Sequence, residues 1–393
     1  MNQPLLQPFD LGELRLPNRV CMAPMTRCRA DNPDTAPTEL MAEYYRQRAS
    51  AGLLITEGAF VSPRGVGYIN VPGIHSPEQT QGWRRVTQVV HEAGGRIFCQ
   101  LWHVGAMSHP DLLGGRLPLA PSAIDPRDKI FGPNGHTDTV TPQAMTETDI
   151  RETIAGFRDA AANAVAAGFD GVELHAANGY LFNQFFARSM NRRSDAFGGS
   201  IENRTRFLVD VLEAVGAEIS LGRVGVRINP SVHGLSGITV DDETLPLFEH
   251  LCSKLSQMGI AYLHVMEPFN DISGLPLPQG VSMCSHFRRF FGGPIISATD
   301  HSRASGNAAL AAGDADLIAY GRAYIANPDL VERFADEADL NVPIRETFYT
   351  PGARGYTDYP RRGEGTTPET VVGDRRVSDR YGETRRKMKS GES

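Results

Sequence analysis

The stretch Phe169-Asp170-Gly171-Val172-Glu173-Leu174-His175-Ala176-Ala177-Asn178-Gly179-Tyr180 decides how the chain reads. A helix-patterned segment at 148–167 closes at Gly168, and an apolar run of strand length follows. That run stops abruptly at His175, Asn178 and Tyr180. Asn is a permanently neutral donor, His a tunable one and Tyr a weak acid. Together they can hold a carbonyl oxygen and deliver a proton beside it.

The same unit recurs on both sides. Apolar runs at 19–23, 52–56, 96–101, 171–174, 224–228, 262–265, 294–297 and 317–320 read as strands. Helical patterns occupy 38–50, 80–93, 148–167, 201–219, 242–258 and 303–312. Several of the helices open at Ser, Thr or Asp and close at a glycine, as at Gly52, Gly94, Gly168, Gly259 and Gly313. The strands are continuously apolar, which suits parallel strands buried on both faces. Eight such units predict an α/β fold, a closed (β/α)8 TIM barrel, as a single domain over residues 1–360. An open doubly wound sheet is the alternative, but no G-x-G-x-x-G follows any strand. Residues 105–147, rich in Gly, Pro and Asp, form a long loop after the third strand, expected over the site. Residues 361–393 carry mixed charges and almost no apolar side chains, and are expected to be disordered.

Composition narrows the function. The chain has 393 residues, 41% hydrophobic and 22% charged, which suits a soluble protein with a sizeable core. A net charge of −7 argues against nucleic acid or anionic membrane as a partner, and no apolar run approaches bilayer length. The five cysteines, at 21, 28, 99, 252 and 284, contain no CxxC pair, so a metal ribbon, iron–sulfur cluster or disulfide framework is not expected. The N-terminus lacks the features of a secretory leader, and a reducing cytoplasmic location is the default. A monomer or homodimer is expected.

In such a barrel the chemistry sits where strands end. The strand ends supply Pro24, Met25 and Thr26; Glu57 and Gly58; Gln100, Trp102 and His103; His175, Asn178 and Tyr180; Arg227 and Asn229; Thr299 and Asp300; Gly321 and Arg322. Amides, hydroxyls and arginines dominate this set. It lacks the paired acids of a glycosidase and the His/Asp/Glu cluster of a metal hydrolase. Two arginines with amide donors suit a planar, anionic, phosphate-bearing cofactor. Each residue also has a plainer reading. His175 can be a satisfied core group, Asn178-Gly179 a turn, Trp102 and Tyr180 packing, and Arg227 the partner of a core carboxylate such as Glu173. Their convergence on the barrel mouth favours a site.

The chain resembles the Old Yellow Enzyme family of flavin-dependent ene-reductases from Leu5 to about Pro360. The resemblance rests on Met22-Ala23-Pro24-Met25-Thr26-Arg27, on Gln100-Leu101-Trp102, and on His175-Ala176-Ala177-Asn178-Gly179-Tyr180-Leu181. Asn191-Arg192-Arg193-Ser194-Asp195, continued by Phe197-Gly198-Gly199-Ser200-Ile201-Glu202-Asn203-Arg204, is the longest shared stretch, and Gly321-Arg322 with Ile325-Ala326-Asn327-Pro328-Asp329-Leu330 completes it. Thr26 and Asn178, in place of the Cys and second His of other members, resemble the classical branch.

The resemblance implies bound FMN and NADPH or NADH as hydride donor. It places Thr26 at the flavin carbonyl beside N5, Gln100 at the pyrimidine edge and Arg227 near N1. Pro24, Met25 and Gly58 complete the flavin contacts, and Arg322 with the amides around Thr299 and Gly321 takes the phosphate. The implied reaction reduces an α,β-unsaturated carbonyl compound, an enone or enal. His175 and Asn178 hold the oxygen, N5 gives hydride to the β-carbon and Tyr180 protonates the α-carbon, with Trp102 and Tyr349 as pocket walls. A flavin-dependent isomerase on the same site is the alternative, and a flavin-binding pseudoenzyme a weaker one. One departure stands out. Thr299-Asp300 replaces the Gly-Gly or Gly-Asn usual in the family. An aspartate near a phosphate is unfavourable unless it points away and caps the next helix. FMN is still expected to bind, less tightly.

Overall fold

The computed structural model describes residues 3–364. Eight parallel strands close into a barrel: β1 (Val20–Met22), β2 (Leu53–Phe60), β3 (Ile97–Trp102), β4 (Gly171–Ala176), β5 (Val224–Ile228), β6 (Tyr262–Met266), β7 (Ile295–Ala298) and β8 (Leu317–Tyr320). β8 pairs with β1, which removes every sheet edge. The expected barrel is therefore present, with β5 and β8 at the expected bounds. Two strands run further than their apolar runs suggest. β2 continues through Glu57 and Gly58, with a register shift between Ile55 and Gly58. β4 continues through His175, so this histidine lies within the strand rather than after it. Polar side chains end an apolar pattern without ending backbone pairing.

Two clusters form the core. One fills the space between the strands and the surrounding helices; Trp83, Phe157, Phe207 and Leu251 are among its buried members. The other fills the lower barrel, where Leu11 and Leu16 of an N-terminal hairpin (Phe9–Leu11 with Leu14–Leu16) pack on Cys21, Phe98 and Tyr262. Helices after the strands are capped as the sequence indicates: Ser76 and Thr146 open capping boxes, and Gly259 and Gly313 end helices in the left-handed conformation. The loop at 105–147 carries structure of its own. It holds a hairpin (Lys129–Gly132 with Gly135–Asp138) and a short strand pair, Leu119–Ala120 with Gln143–Ala144. Ile130 from that hairpin packs into a cluster with Trp102, Phe60 and Tyr180, so the loop does lie over the strand ends.

The chain past the barrel is held by three buried arginines from near its start. Arg27 donates to the carbonyls of Phe348 (3.1 Å) and Gly355 (2.8 Å), and Arg29 to Thr347 (2.8 Å). Arg48 donates to Tyr324 (2.8 Å), Tyr44 (2.9 Å) and Ile325 (3.0 Å) while lying over the Tyr44 ring. Tyr44 in turn stacks on Tyr356 at 4.0 Å. Arg361 and Arg362 still bond to Gln47 and Asp329, whereas 365–393, most of the expected disordered tail, lies outside the described residues. Replacing Arg48 with methionine keeps the bulk but strands those carbonyls. Unfolding free energy should fall by roughly 3 kcal/mol, read as a lower urea midpoint at unchanged slope; an unaltered midpoint would show that the arginine carries no structural weight.

Candidate active site

Strand register places the key side chains in two rungs. Gln100, Glu173 and Gly225 pair across β3, β4 and β5, and Gly225 pairs with Tyr262 of β6. Two residues further along, His175, Arg227 and His264 form the next rung. A spacing of two keeps both sets on one face of the sheet. Tyr262 lies over Gly225, where a Cβ would overlap its ring.

Glu173 is fully buried and satisfied. It accepts from Gln100 Nε2 (2.8 Å), the Tyr262 hydroxyl (3.0 Å) and His264 Nδ1 (2.8 Å). Burial alone would raise its pKa, but His264, then Arg227 and Gln100, outweigh it and hold the carboxyl below its usual range. It is therefore a carboxylate, and the Gln100 amide must turn its NH2 toward it, leaving Oε1 to face elsewhere. The plain reading of Arg227 as the partner of Glu173 fits only in part. The two interact electrostatically, but Glu173's hydrogen bonds go to other groups, and Arg227 Nε is buried without a partner.

The turn after β4 carries Asn178 and brings Tyr180 to His175, their ring centroids 5.0 Å apart. Asn178 takes the left-handed conformation at φ 60°, which Asn tolerates better than most residues. Gly179 follows at φ 79°, against Ser236, where a Cβ would clash. Asn183 Oδ1 accepts from Gly179 N (2.9 Å), and Gln184 Nε2 donates to Gly179 O (2.7 Å), both from the helix Leu181–Phe186. Trp102 collects the aromatic side chains: it stacks on His175 at 5.7 Å and meets Tyr180 edge-on at 4.8 Å. Trp102 also explains Gly58, because a Cβ there would overlap the indole.

Sequence reasoning missed Tyr68. Its hydroxyl lies 3.1 Å from that of Tyr180, and its ring stacks on Trp102 at 5.5 Å. The available clue was an aromatic in the glycine-rich loop Gly65-Val66-Gly67-Tyr68 after β2. Tyr349 is 56% exposed, at the rim, yet close enough for its phenol to act on those of Tyr68 and Tyr180. Two collected strand-end residues leave the site. His103 Nδ1 accepts from Gly105 N (3.1 Å), and burial lowers its pKa to about 3. Glu57 accepts from Arg27 N (3.1 Å) and lies among the buried arginines, with burial raising it to about 7.

Burial, then Arg227 and His264, hold the His175 pKa well below 6.5, so the imidazole is neutral. Burial, then Tyr68, push the Tyr180 phenol well above 10, so it keeps its proton. Lowering the pH must therefore pass well under the ordinary histidine value before His175 charges, and raising it must pass well over the ordinary tyrosine value before Tyr180 ionises. Between pH 6 and 8 the kcat/KM for an enone should be flat. An ascending limb near pH 6.5 that disappears in His175→Asn would contradict this.

The residues fit a flavin. Pro24, Met25 and Thr26 are half-buried within an otherwise buried run, and the Thr26 hydroxyl has no hydrogen bond among the described residues. Arg227 Nε, His175 Nδ1, Trp102 Nε1 and Thr299 Oγ1 are buried and unpartnered, an arrangement native proteins avoid without a ligand or water to satisfy it. Gly321 has room for a side chain, with no atom nearer than 3.7 Å. At the far side Asp300 forms an ion pair with Arg322. It does not cap the following helix, a role Ser302 takes by accepting from Ser305 N. Thr299 (φ 97°) and Asp300 (φ 51°) both occupy backbone conformations that suit glycine, which gives a physical reason why glycine is usual here.

This geometry defines a flavin-dependent oxidoreductase on a barrel scaffold. Residues 4–341 match the NADH:flavin oxidoreductase / NADH oxidase family. Among curated relatives, 12-oxophytodienoate reductase 7 of Oryza sativa subsp. japonica is 41% identical over 377 residues, spanning 92% of this chain and 95% of the relative. Flavin oxidoreductase hxnT of Emericella nidulans is 39% identical, spanning 91% and 97%. Among solved structures, morphinone reductase superposes with a TM-score of 0.86 at 44% identity, over 92% of this chain and 97% of that one. An old yellow enzyme homologue from Zymomonas mobilis gives 0.86 at 40% identity, over 91% and 99%. The chain belongs to this family, the Old Yellow Enzymes, and is an FMN-dependent NAD(P)H oxidoreductase acting on activated alkenes.

Proposed function

We propose that this site reduces the C=C bond of α,β-unsaturated carbonyl compounds, with His175 and Asn178 binding the carbonyl oxygen and Tyr180 supplying the proton. The observation that carries the reading is the meeting of neutral His175 and protonated Tyr180 against the Trp102 ring, with Asn178 on the turn between them in sequence. Pro24, Met25, Thr26, Gly58, Gln100 and Arg227 would hold the isoalloxazine, and Thr299, Gly321 and Arg322 the phosphate. FMN held there would supply the hydride chemistry that links NADPH or NADH to the alkene.

The protein's own residues do the rest. His175 and Asn178 donate to the carbonyl oxygen, which polarises the double bond and stabilises the enolate-like charge that develops there. Both donors are neutral, so they add no charge that ground-state binding must overcome. Tyr180 delivers its proton to the α-carbon, and Tyr68 accepts from or donates to the phenol, steadying its orientation. Trp102 and Ile130 cover the aromatic cluster and keep water from the transferring proton. Arg227 faces the cofactor side with an unsatisfied Nε–H, suited to negative charge. Tyr349 lines the outer rim. The five free, buried cysteines suit a reducing compartment such as the cytoplasm, with the electron donor drawn from its nicotinamide pool. Among the described residues, no helix is long and apolar enough to cross a membrane.

The function is tested by anaerobic reduction of the bound flavin with NADPH, then reoxidation with cyclohexenone. Flavin that stays reduced against a panel of enones would sink the reading. Tyr180→Phe should slow the reoxidation step on the order of a hundredfold while leaving reduction by NADPH within about twofold.

The phosphate end gives a second test. Asp300 competes with phosphate for Arg322, and its left-handed backbone suits glycine. Asp300→Gly should tighten FMN binding about tenfold, measured by quenching of flavin fluorescence on titrating apoprotein. A dissociation constant unchanged or raised would show that the carboxylate does not oppose the phosphate.

A further inference from the structure

Asn229 was collected as a strand-end residue, and neither the cofactor nor the substrate contacts account for it. It follows β5, is 1% exposed, and uses its full hydrogen-bonding capacity. Its Oδ1 accepts from Ser231 N (3.2 Å) and Ser231 Oγ (3.0 Å). Its Nδ2 donates to Asn178 Oδ1 (2.9 Å) and faces the sulfur of Met266 at 3.7 Å.

The polarity of this chain is fixed at its far end. A backbone N–H can only donate, so the atom of Asn229 beside Ser231 N must be the oxygen. The amide group beside Asn178 is then the NH2, and the atom of Asn178 that faces it must be Oδ1. Asn178 Nδ2 is left turned away, with no hydrogen bond among the described residues.

We infer that Asn229 is a positioning residue that sets the amide of Asn178 so that it presents its NH2, and not its oxygen, to the substrate carbonyl. The inference rests on the proposed role of Asn178 as an oxygen binder. A side-chain amide has two faces of opposite sign and similar shape. Rotated by half a turn, Asn178 would place an acceptor against the acceptor it has to bind. His175 is fixed in charge by burial, but the environment of Asn178, half-buried and on a turn, does not by itself choose between the two orientations. The relay Ser231–Asn229–Asn178 makes that choice before substrate arrives, which is pre-organisation of a donor. It also favours substrates activated by an acceptor, such as a carbonyl or nitro oxygen, over those that present a donor at this point.

Asn229→Asp reverses the signal with little change in shape. One carboxylate oxygen still accepts from Ser231 N; the other faces Asn178 and demands its NH2, turning Asn178 Oδ1 toward the substrate. The readout is the dissociation constant of cyclohexenone for the oxidised, FMN-loaded protein, followed by the perturbation of flavin absorbance without turnover. Asn229→Asp should weaken binding at least about tenfold, and Asn229→Ala, which removes the guide without reversing it, about threefold. In an Asn178→Ala background both substitutions should change binding less than about twofold, because the group they orient is gone. If Asn229→Asp does not hold FMN, the Asn229→Ala pair decides alone. If Asn178→Ala weakens binding but the Asn229 variants do not, or do so equally in the Asn178→Ala background, Asn229 has no positioning role. If Asn178→Ala itself leaves binding unchanged, the oxygen-binding role of Asn178 falls and this inference falls with it.

Discussion

One buried carboxylate organises the interior of this barrel. Glu173 sits where β3, β4 and β6 come together, and accepts from Gln100, Tyr262 and His264 at 2.8–3.0 Å. A charge at full burial is tolerated only when donors surround it and an opposite charge lies near. The three donors supply the first condition and Arg227 the second. Meeting them has consequences beyond stability. The Gln100 amide can face only one way, His264 is held through Nδ1, and Arg227 keeps its Nε unpartnered. The polar groups around Glu173 thus take their orientation from a carboxylate buried among them.

The costs of the site are concentrated at its two ends. After β4 Asn178 and Gly179 take the left-handed conformation, one tolerant of it by type and the other by lacking a side chain. After β7 Thr299 adopts φ 97° without that tolerance, a strain on the order of 1–3 kcal/mol. Asp300 beside it draws on the same arginine that an anion would need. The turn after β4 is built from residues that suit its backbone, whereas the loop after β7 holds Thr299 in a conformation that does not suit its side chain.

What the sequence made legible follows from what is local. Eight apolar runs and their glycine stops encode strands and helix ends, so the barrel could be read, along with His175, Asn178, Tyr180 and Arg227 at its mouth. The end of β4 was misjudged because His175 interrupts hydrophobicity but not hydrogen bonding. Tyr68 escaped notice because its partner, Tyr180, is 112 positions away, and no periodicity links a loop aromatic to a turn that distant. Asn229 was visible as a residue but not as a relay, since its meaning lies in the direction of a hydrogen bond rather than in its spacing. The Asp300 carboxylate stands out in the sequence, but its exposed ion pair with Arg322 does not, and Ser302 rather than Asp300 holds the helix cap.

The arginine clasp has a consequence for how the chain is made. Arg27, Arg29 and Arg48 emerge early in synthesis, yet the carbonyls that satisfy them belong to Tyr324, Ile325, Thr347, Phe348 and Gly355. Until residues 324–355 have been made, the donors of these three side chains lack those acceptors. Contacts of such sequence separation require a long loop to close before they can form. Burial of the first strand–helix unit is thereby tied to the segment that follows β8, and a fragment lacking residues 324–355 leaves the three guanidiniums without these carbonyl acceptors.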